Sequence, residues 1–306
     1  MIEAASRHHL GYGHGSIYTQ KAFEILDRAG DTLAPTLLPQ LTRSLTLMTR
    51  EDALPYMRKT SAAIALVDLE RLAASQRTQP SVPGDLIDEL LDGDDPGIDR
   101  AVEVAMAGLG VEGLIDVASI GTARRMLRYD LTNERNPRSN FNWLDISHGL
   151  THARATRWAW AAQPGPHVAR MALHGLWLLF DTGRLERRSD DHAGDAETGT
   201  ATSTGTATST GTATSTAEQA AVQADPVEFA DRLLDEAMDD RGGSFIVVAH
   251  LIKTVRAGLE ETQATGSALP LLAASRLIRG DRRERFVARN VNESIRFVRT
   301  GRPPQR

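Results

Sequence analysis

The sequence predicts an all-α protein: one multi-helix, bundle-like domain interrupted by a long Thr/Gly/Ser/Ala-rich loop. Three observations lead there. Nearly every patterned segment repeats its apolar residues at three- and four-residue spacing, which puts them on one face of a helix. No segment sustains the alternation of β-branched residues that a half-buried strand needs. Serine, aspartate, proline and glycine fall where helices start and stop. The composition agrees: hydrophobic residues make up 41% of 306 and aromatics only 5%, so the core is expected to be built from Leu, Ala, Val and Ile.

The first helix is expected over 16–29, capped by Ser16, with Ile17, Phe23 and Leu26 on its apolar face and Gly30 as its stop. A second is expected over 34–48. A third follows in "TREDALPYMRKTSAAIALVDLERLAA", where Thr49 and Asp52 are spaced as a capping pair and Pro55 sits in the first turn. "PGDLIDELLDG" is a short acidic helix between Pro83 and Gly93; the next two helical runs divide at Gly110. A loop, "NERNPRSNFN", leads into "WLDISHGLTHARATRWAWAA". "PGPHVARMALHGLWLLFDTG" follows, with prolines at its start and Gly183 near its end. Four more helices are expected late in the chain, one of them starting at Ser244 and running through "SFIVVAHLIKTVRAGLEE". The repeated unit TGTATS within 189–224 holds no large apolar residue to offset the entropy of ordering, so that stretch is expected to be a disordered insert in a surface loop. It separates a helical part over 1–188 from its continuation over 225–306.

Several function classes drop out on composition. With no cysteine, disulfides, thiolate zinc sites, cysteine nucleophiles and iron–sulfur clusters are excluded. The net charge of -5 points to no polyanionic partner. Residues 276–306 carry ten arginines against three acids, but aromatic interleaving is almost absent. A solvated basic helix face is therefore preferred to a nucleic-acid surface. The first residues lack the basic start and apolar run of a signal peptide, and the apolar run at 171–180 is too short to span a bilayer. No membrane association is expected, and the default location is the cytoplasm. Phosphate-loop, dinucleotide-fingerprint and nucleophile-elbow motifs are missing as well.

Chemistry concentrates on histidines. In "DISHGLTHA", Asp145, His148 and His152 share one helical stripe. Two imidazoles at i and i+4 plus a carboxylate form the ligand set of non-haem iron. The competing reading places Asp145 at an N-cap and both rings at the edge of the core. A second pattern links three distant windows: "HGSIYTQKA" from His14, "HGLTHARAT" from His148 and "HLIKTVRAG" from His250. Each has a polar residue four positions on (Tyr18, His152, Thr254) and a cation two or three positions further. The windows are either a duplicated helical unit or a coincidence in alanine-rich helices. Should the helices converge, His14, His148, His152 and His250 would surround one cavity, with Tyr18 and Lys253 supplying a phenol and an ammonium. His167 and His174 read as core-edge residues, Trp143, Trp158 and Trp160 as packing anchors, and His8 and His9 point in different directions.

"GHGSIYTQKAFEIL" and "LDISHGLTHARA" resemble helical, histidine-containing segments of bacterial and archaeal proteins, some joined to Rieske-type domains. They are also similar to questin-oxidase-like proteins, which are helical oxygenases. The resemblance implies a helical module associated with redox or oxygenase chemistry, with no residue roles carried over. The expectation is a metal- or histidine-dependent oxidoreductase-like module acting on a small organic substrate. Fe or another divalent metal would be held by Asp145, His148 and His152. His14, Tyr18 and His250 would be catalytic, and a redox protein is a candidate partner. The alternative is a non-catalytic helical scaffold that binds a protein partner.

Overall fold

The computed structural model describes residues 1–135, 142–184, 216–239, 245–280 and 294–301. Among these residues the fold is all-α, and the one β-type contact is an isolated antiparallel bridge between Leu10 and Arg50. The N-terminal elements are α1 (Ile2–Ser6), α2 (His14–Ala29), α3 (Ala34–Leu47), α4 (Arg58–Leu66), α5 (Leu69–Ala73), α6 (Gly84–Asp92) and α7 (Ile98–Val104). They are followed by α8 (Gly110–Arg128), α9 (Thr132–Arg135), α10 (Trp143–Ala162) and α11 (Pro166–Asp181). The later elements are α12 (Thr216–Ala224), α13 (Pro226–Met238), α14 (Phe245–Thr265) and α15 (Leu269–Arg279).

Helix α8 organises the packing because it is buried on nearly every side. Leu114, Ile115, Val117 and Ala118 face one aliphatic core with α4–α7 and α11. Ala123 and Met126 face a second core with α10 and α12–α15. At Gly149 an added Cβ would lie 2.6 Å from Thr122 Oγ1, so the α8–α10 crossing is closer than any side chain would allow. Mean hydropathy reaches 1.5 within Ile98–Arg128, long and apolar enough to cross a membrane. Yet 78% of that window is buried in the bundle, as in a central core helix. This run exceeds the 171–180 stretch that stands out in the sequence, because it continues through a π turn at Ala105–Leu109. Gly108 (φ 119°) and Gly110 (φ 67°) supply the left-handed backbone there, at the division expected from sequence.

One charge network crosses the core. Arg157 on α10 holds Asp116 on α8 at 2.8 Å and the fully buried Glu261 on α14 at 2.7 Å, and Arg77 takes the other oxygen of Asp116 at 2.7 Å. This network ties α10, the helix that carries the histidine motif, to both neighbours.

Four expectations are corrected. Helix α2 starts at His14, and Ser16 lies inside it. The expected third helix breaks into short turns over 51–57 and then α4 and α5. Pro55 has no N–H to give, and Asp68 caps a new start by accepting from Arg71 N at 3.0 Å. Asp52 instead bonds His8. The expected disordered insert ends too late: 216–224 form α12, whose Val222 is buried against α13–α15. Residues 185–215 and Ser244 lie outside the described residues.

Candidate metal centre

The stretch Gly11–Tyr12–Gly13 leaves the isolated bridge in three consecutive left-handed residues, φ 54°, 57° and 92°. Such backbone disfavours tyrosine. Tyr12 is held there by packing: its hydroxyl donates to Asp181 at 2.6 Å, and its ring meets Trp177 and His148 edge-on. Gly11 N donates to Thr49 O at 2.8 Å, which pins the loop to the following segment. The tight turn ends with His14 as the first residue of α2, its ring facing inward.

Two other rings meet it. His148 is the sixth residue of α10 and His250 the sixth of α14. Helix α10 packs against both α2 and α14, so three elements far apart in sequence deliver one imidazole each. The available nitrogens of His14, His148 and His250 lie within 4.8 Å of one another, and His14 Nε2 is 3.0 Å from His148 Nε2. Ring centroids are 4.4 Å apart for His14–His148, 5.2 Å for His148–His250 and 6.2 Å for His14–His250.

The second nitrogen of each ring fixes its protonation. His14 Nδ1 lies 2.5 Å from Gly11 O, His148 Nδ1 2.5 Å from Leu144 O, and His250 Nδ1 2.7 Å from Ile246 O. A carbonyl only accepts, so each Nδ1 carries the hydrogen and a neutral ring keeps its lone pair on Nε2. Burial and the Lys253 ammonium hold the pKa of all three rings below the ordinary value, His250 at about 4. Two neutral imidazoles, His14 and His148, therefore face each other through bare Nε2 atoms, and a nitrogen of His250 lies within 4.8 Å of the ligand nitrogens of both. Two bare nitrogens at 3.0 Å repel unless a proton or a cation lies between them. This group of three histidines could hold a metal ion, with each ligand oriented by a backbone carbonyl in the way metal-bound histidines usually are.

Lys253 lies one turn beyond His250 on α14. Burial, with Lys21 nearby, lowers its amine to about 7. It also lines an open cleft of about 410 Å³ between α2 and α14. Tyr18 contacts the His14 ring edge-on, 5.3 Å between centroids, and is 44% exposed.

The sequence-predicted residues are thus divided. His14, His148 and His250 converge, and Tyr18 borders them. Asp145 does not join them as a ligand: it is the third residue of α10 and closes a capping box, accepting from Asn142 N at 2.8 Å, while Asn142 is the cap. Burial raises its pKa to about 6. His152 is turned away as well. Its Nε2 bonds Met171 O at 3.1 Å, and its Nδ1 accepts from Ser16 Oγ at 2.8 Å. One turn of α10 separates His148 from His152, but the two rings serve different neighbours.

Sequence reasoning missed the buried aromatic layer beneath the centre. His9, His152, His174, Tyr12 and Trp177 pack ring against ring, with His9 at 5.5 Å from His152, 5.3 Å from His174 and 5.1 Å from Trp177. Burial lowers His152 to about 4 and His174 to about 3. The signal that could have found this layer is the density of histidine and aromatics in "HHLGYGHG" itself. Compared with known protein families, with characterised proteins and with solved structures, the chain matches none, so the site is read from its own geometry.

Proposed function

We propose that this protein is a metal-dependent enzyme module in which His14, His148 and His250 bind one divalent transition metal and an organic substrate approaches through the cleft beside Lys253. One observation carries the reading: three imidazoles, each with its Nδ1 held by a backbone carbonyl, bring ligand nitrogens within 4.8 Å of one another, and the Nε2 atoms of His14 and His148 meet at 3.0 Å. An all-imidazole set suits iron, zinc, copper or nickel and leaves coordination positions open. A bound metal would polarise a substrate oxygen or, as iron or copper, exchange electrons. Iron would supply the oxidoreductase chemistry expected from the sequence. Within this reading the chain's own groups have separate tasks. The three carbonyls keep the rings in the ligating tautomer. The buried aromatic layer excludes water from one side. Tyr18 borders the open side, where its phenol orients substrate.

The scaffold reading accounts well for His152, whose two ring nitrogens are both bonded to protein. It leaves the meeting of His14, His148 and His250 unexplained. Elemental analysis of protein purified without chelator, repeated on His148→Ala and His250→Ala, tests the proposal. About one equivalent of metal in the parent and none in the variants, with unchanged helical circular dichroism, is the expected result. A metal-free parent that also fails to bind Fe(II), Zn(II), Cu(II) or Ni(II) overturns it.

A further inference from the structure

The cleft that Lys253 lines, one turn beyond His250, carries an excess of positive charge that the described residues do not neutralise. Its walls come from two helices, Lys21, Glu24, Ile25 and Arg28 of α2 and Ala249, Ile252, Lys253, Arg256 and Glu260 of α14. Both acids are already engaged. Glu24 pairs with Lys21 at 2.8 Å and with Arg154 at 3.7 Å, and Glu260 pairs with Arg154. Lys253, Arg28 and Arg256 have no carboxylate partner among the described residues. Lys253 is partly buried, while the two arginines are exposed. A partly buried ammonium without a counter-charge is costly, and the cations at the rim favour entry of a negative ligand.

The remaining lining is Ile25, Ala249 and Ile252, which suits a carbon skeleton. Among the described residues, none from the first turn of either helix lines the cleft, so the free backbone amides that usually cradle a phosphate are not part of it. We propose that this cleft is the subsite for the carboxylate of an organic acid, with Lys253 as its anchor and Arg28 and Arg256 at the entrance. The identification of that acid as the substrate of the metal centre rests on the function proposed above; the anion subsite itself does not.

The experiment measures equilibrium binding of benzoate, with benzamide as its neutral counterpart, by isothermal titration and ligand-observed NMR. Parent protein, K253M, R256M and H250A are each measured with Zn(II) present and absent. Benzoate should bind the parent at least about tenfold more tightly than benzamide, and K253M should lose about tenfold, the worth of one charge-assisted contact. R256M should weaken binding less and flatten its salt dependence. H250A should lose metal while keeping benzoate. Equal binding of benzoate and benzamide, an unaffected K253M, or inorganic phosphate outcompeting benzoate would each overturn the carboxylate subsite. Benzoate binding without any metal uptake would leave the subsite standing and remove the metal centre; metal uptake without benzoate binding would do the reverse.

Discussion

Adding a divalent metal should stabilise the folded chain, and the size of the effect follows from linkage. The unfolded chain scatters His14, His148 and His250 over more than two hundred residues, so the site exists only in the folded state. At a free metal concentration one hundred times Kd, the stabilisation is about 2.7 kcal/mol. For a chain of this size that is a rise in Tm of roughly 5 °C. Little rearrangement is needed. Tetrahedral metal–nitrogen bonds of about 2.0–2.1 Å separate ligand nitrogens by about 3.3–3.4 Å, against 3.0 Å for His14 Nε2 to His148 Nε2. His250 stands further off, with its ring centroid 5.2 Å from that of His148 and 6.2 Å from that of His14, against 4.4 Å between those two. Removing its imidazole should lower affinity by more than the ten- to hundredfold typical of an outer-shell change. At the same metal concentration a hundredfold loss leaves about 0.4 kcal/mol, a shift of roughly 1 °C. The assay is differential scanning fluorimetry with a metal series, on the parent, His14→Ala, His148→Ala and His250→Ala. Two further variants separate this site from the i, i+4 triad read in the sequence. Asp145→Asn keeps an acceptor for the capping box, and His152→Ala removes a ring that faces Ser16 and Met171. Both should retain the metal-induced shift whatever their starting Tm. A shift that survives His250→Ala but disappears in Asp145→Asn or His152→Ala would refute the assignment.

Three other outcomes are expected. His174 is buried with its pKa held near 3, so the folded chain stays unprotonated there while the unfolded chain takes up a proton below about 6.5. Its contribution to stability is present above that pH and is lost as pH falls, so His174→Phe should make the pH dependence shallower by about 1.4 kcal/mol per unit between pH 6 and pH 4 in urea titrations; an unchanged slope contradicts this. Arg157→Met should cost about 3–5 kcal/mol, because the buried Glu261 loses its guanidinium and Asp116 keeps only Arg77, and the thermal melt should drop by roughly 10 °C. Gly13→Ala forces a side chain into φ 92° with its Cβ 3.4 Å from His152 Nδ1, so it should destabilise by about 1–2 kcal/mol. By displacing the start of α2 it should also weaken metal binding about tenfold in calorimetry, and full retention would show that the turn does not position His14.

Local patterning was sufficient for the helical class, for most element positions and for the division at Gly110, since each depends on residues within a turn or two of one another. It also singled out the windows at His14, His148 and His250, because each imidazole begins a similar short run. Spacing along one helix was a poor guide to the ligand set. Asp145, His148 and His152 share a stripe on α10, yet their polar atoms reach an N-terminal amide, the Nε2 of His14 and a carbonyl of α11. Helical periodicity reports which residues lie on one side of a cylinder. Which second helix packs there, and what it offers, depends on contacts between residues more than a hundred positions apart. The close α8–α10 crossing at Gly149, the Arg157 network and the left-handed turn at Tyr12 set those contacts, and they turned three separate histidines into one centre.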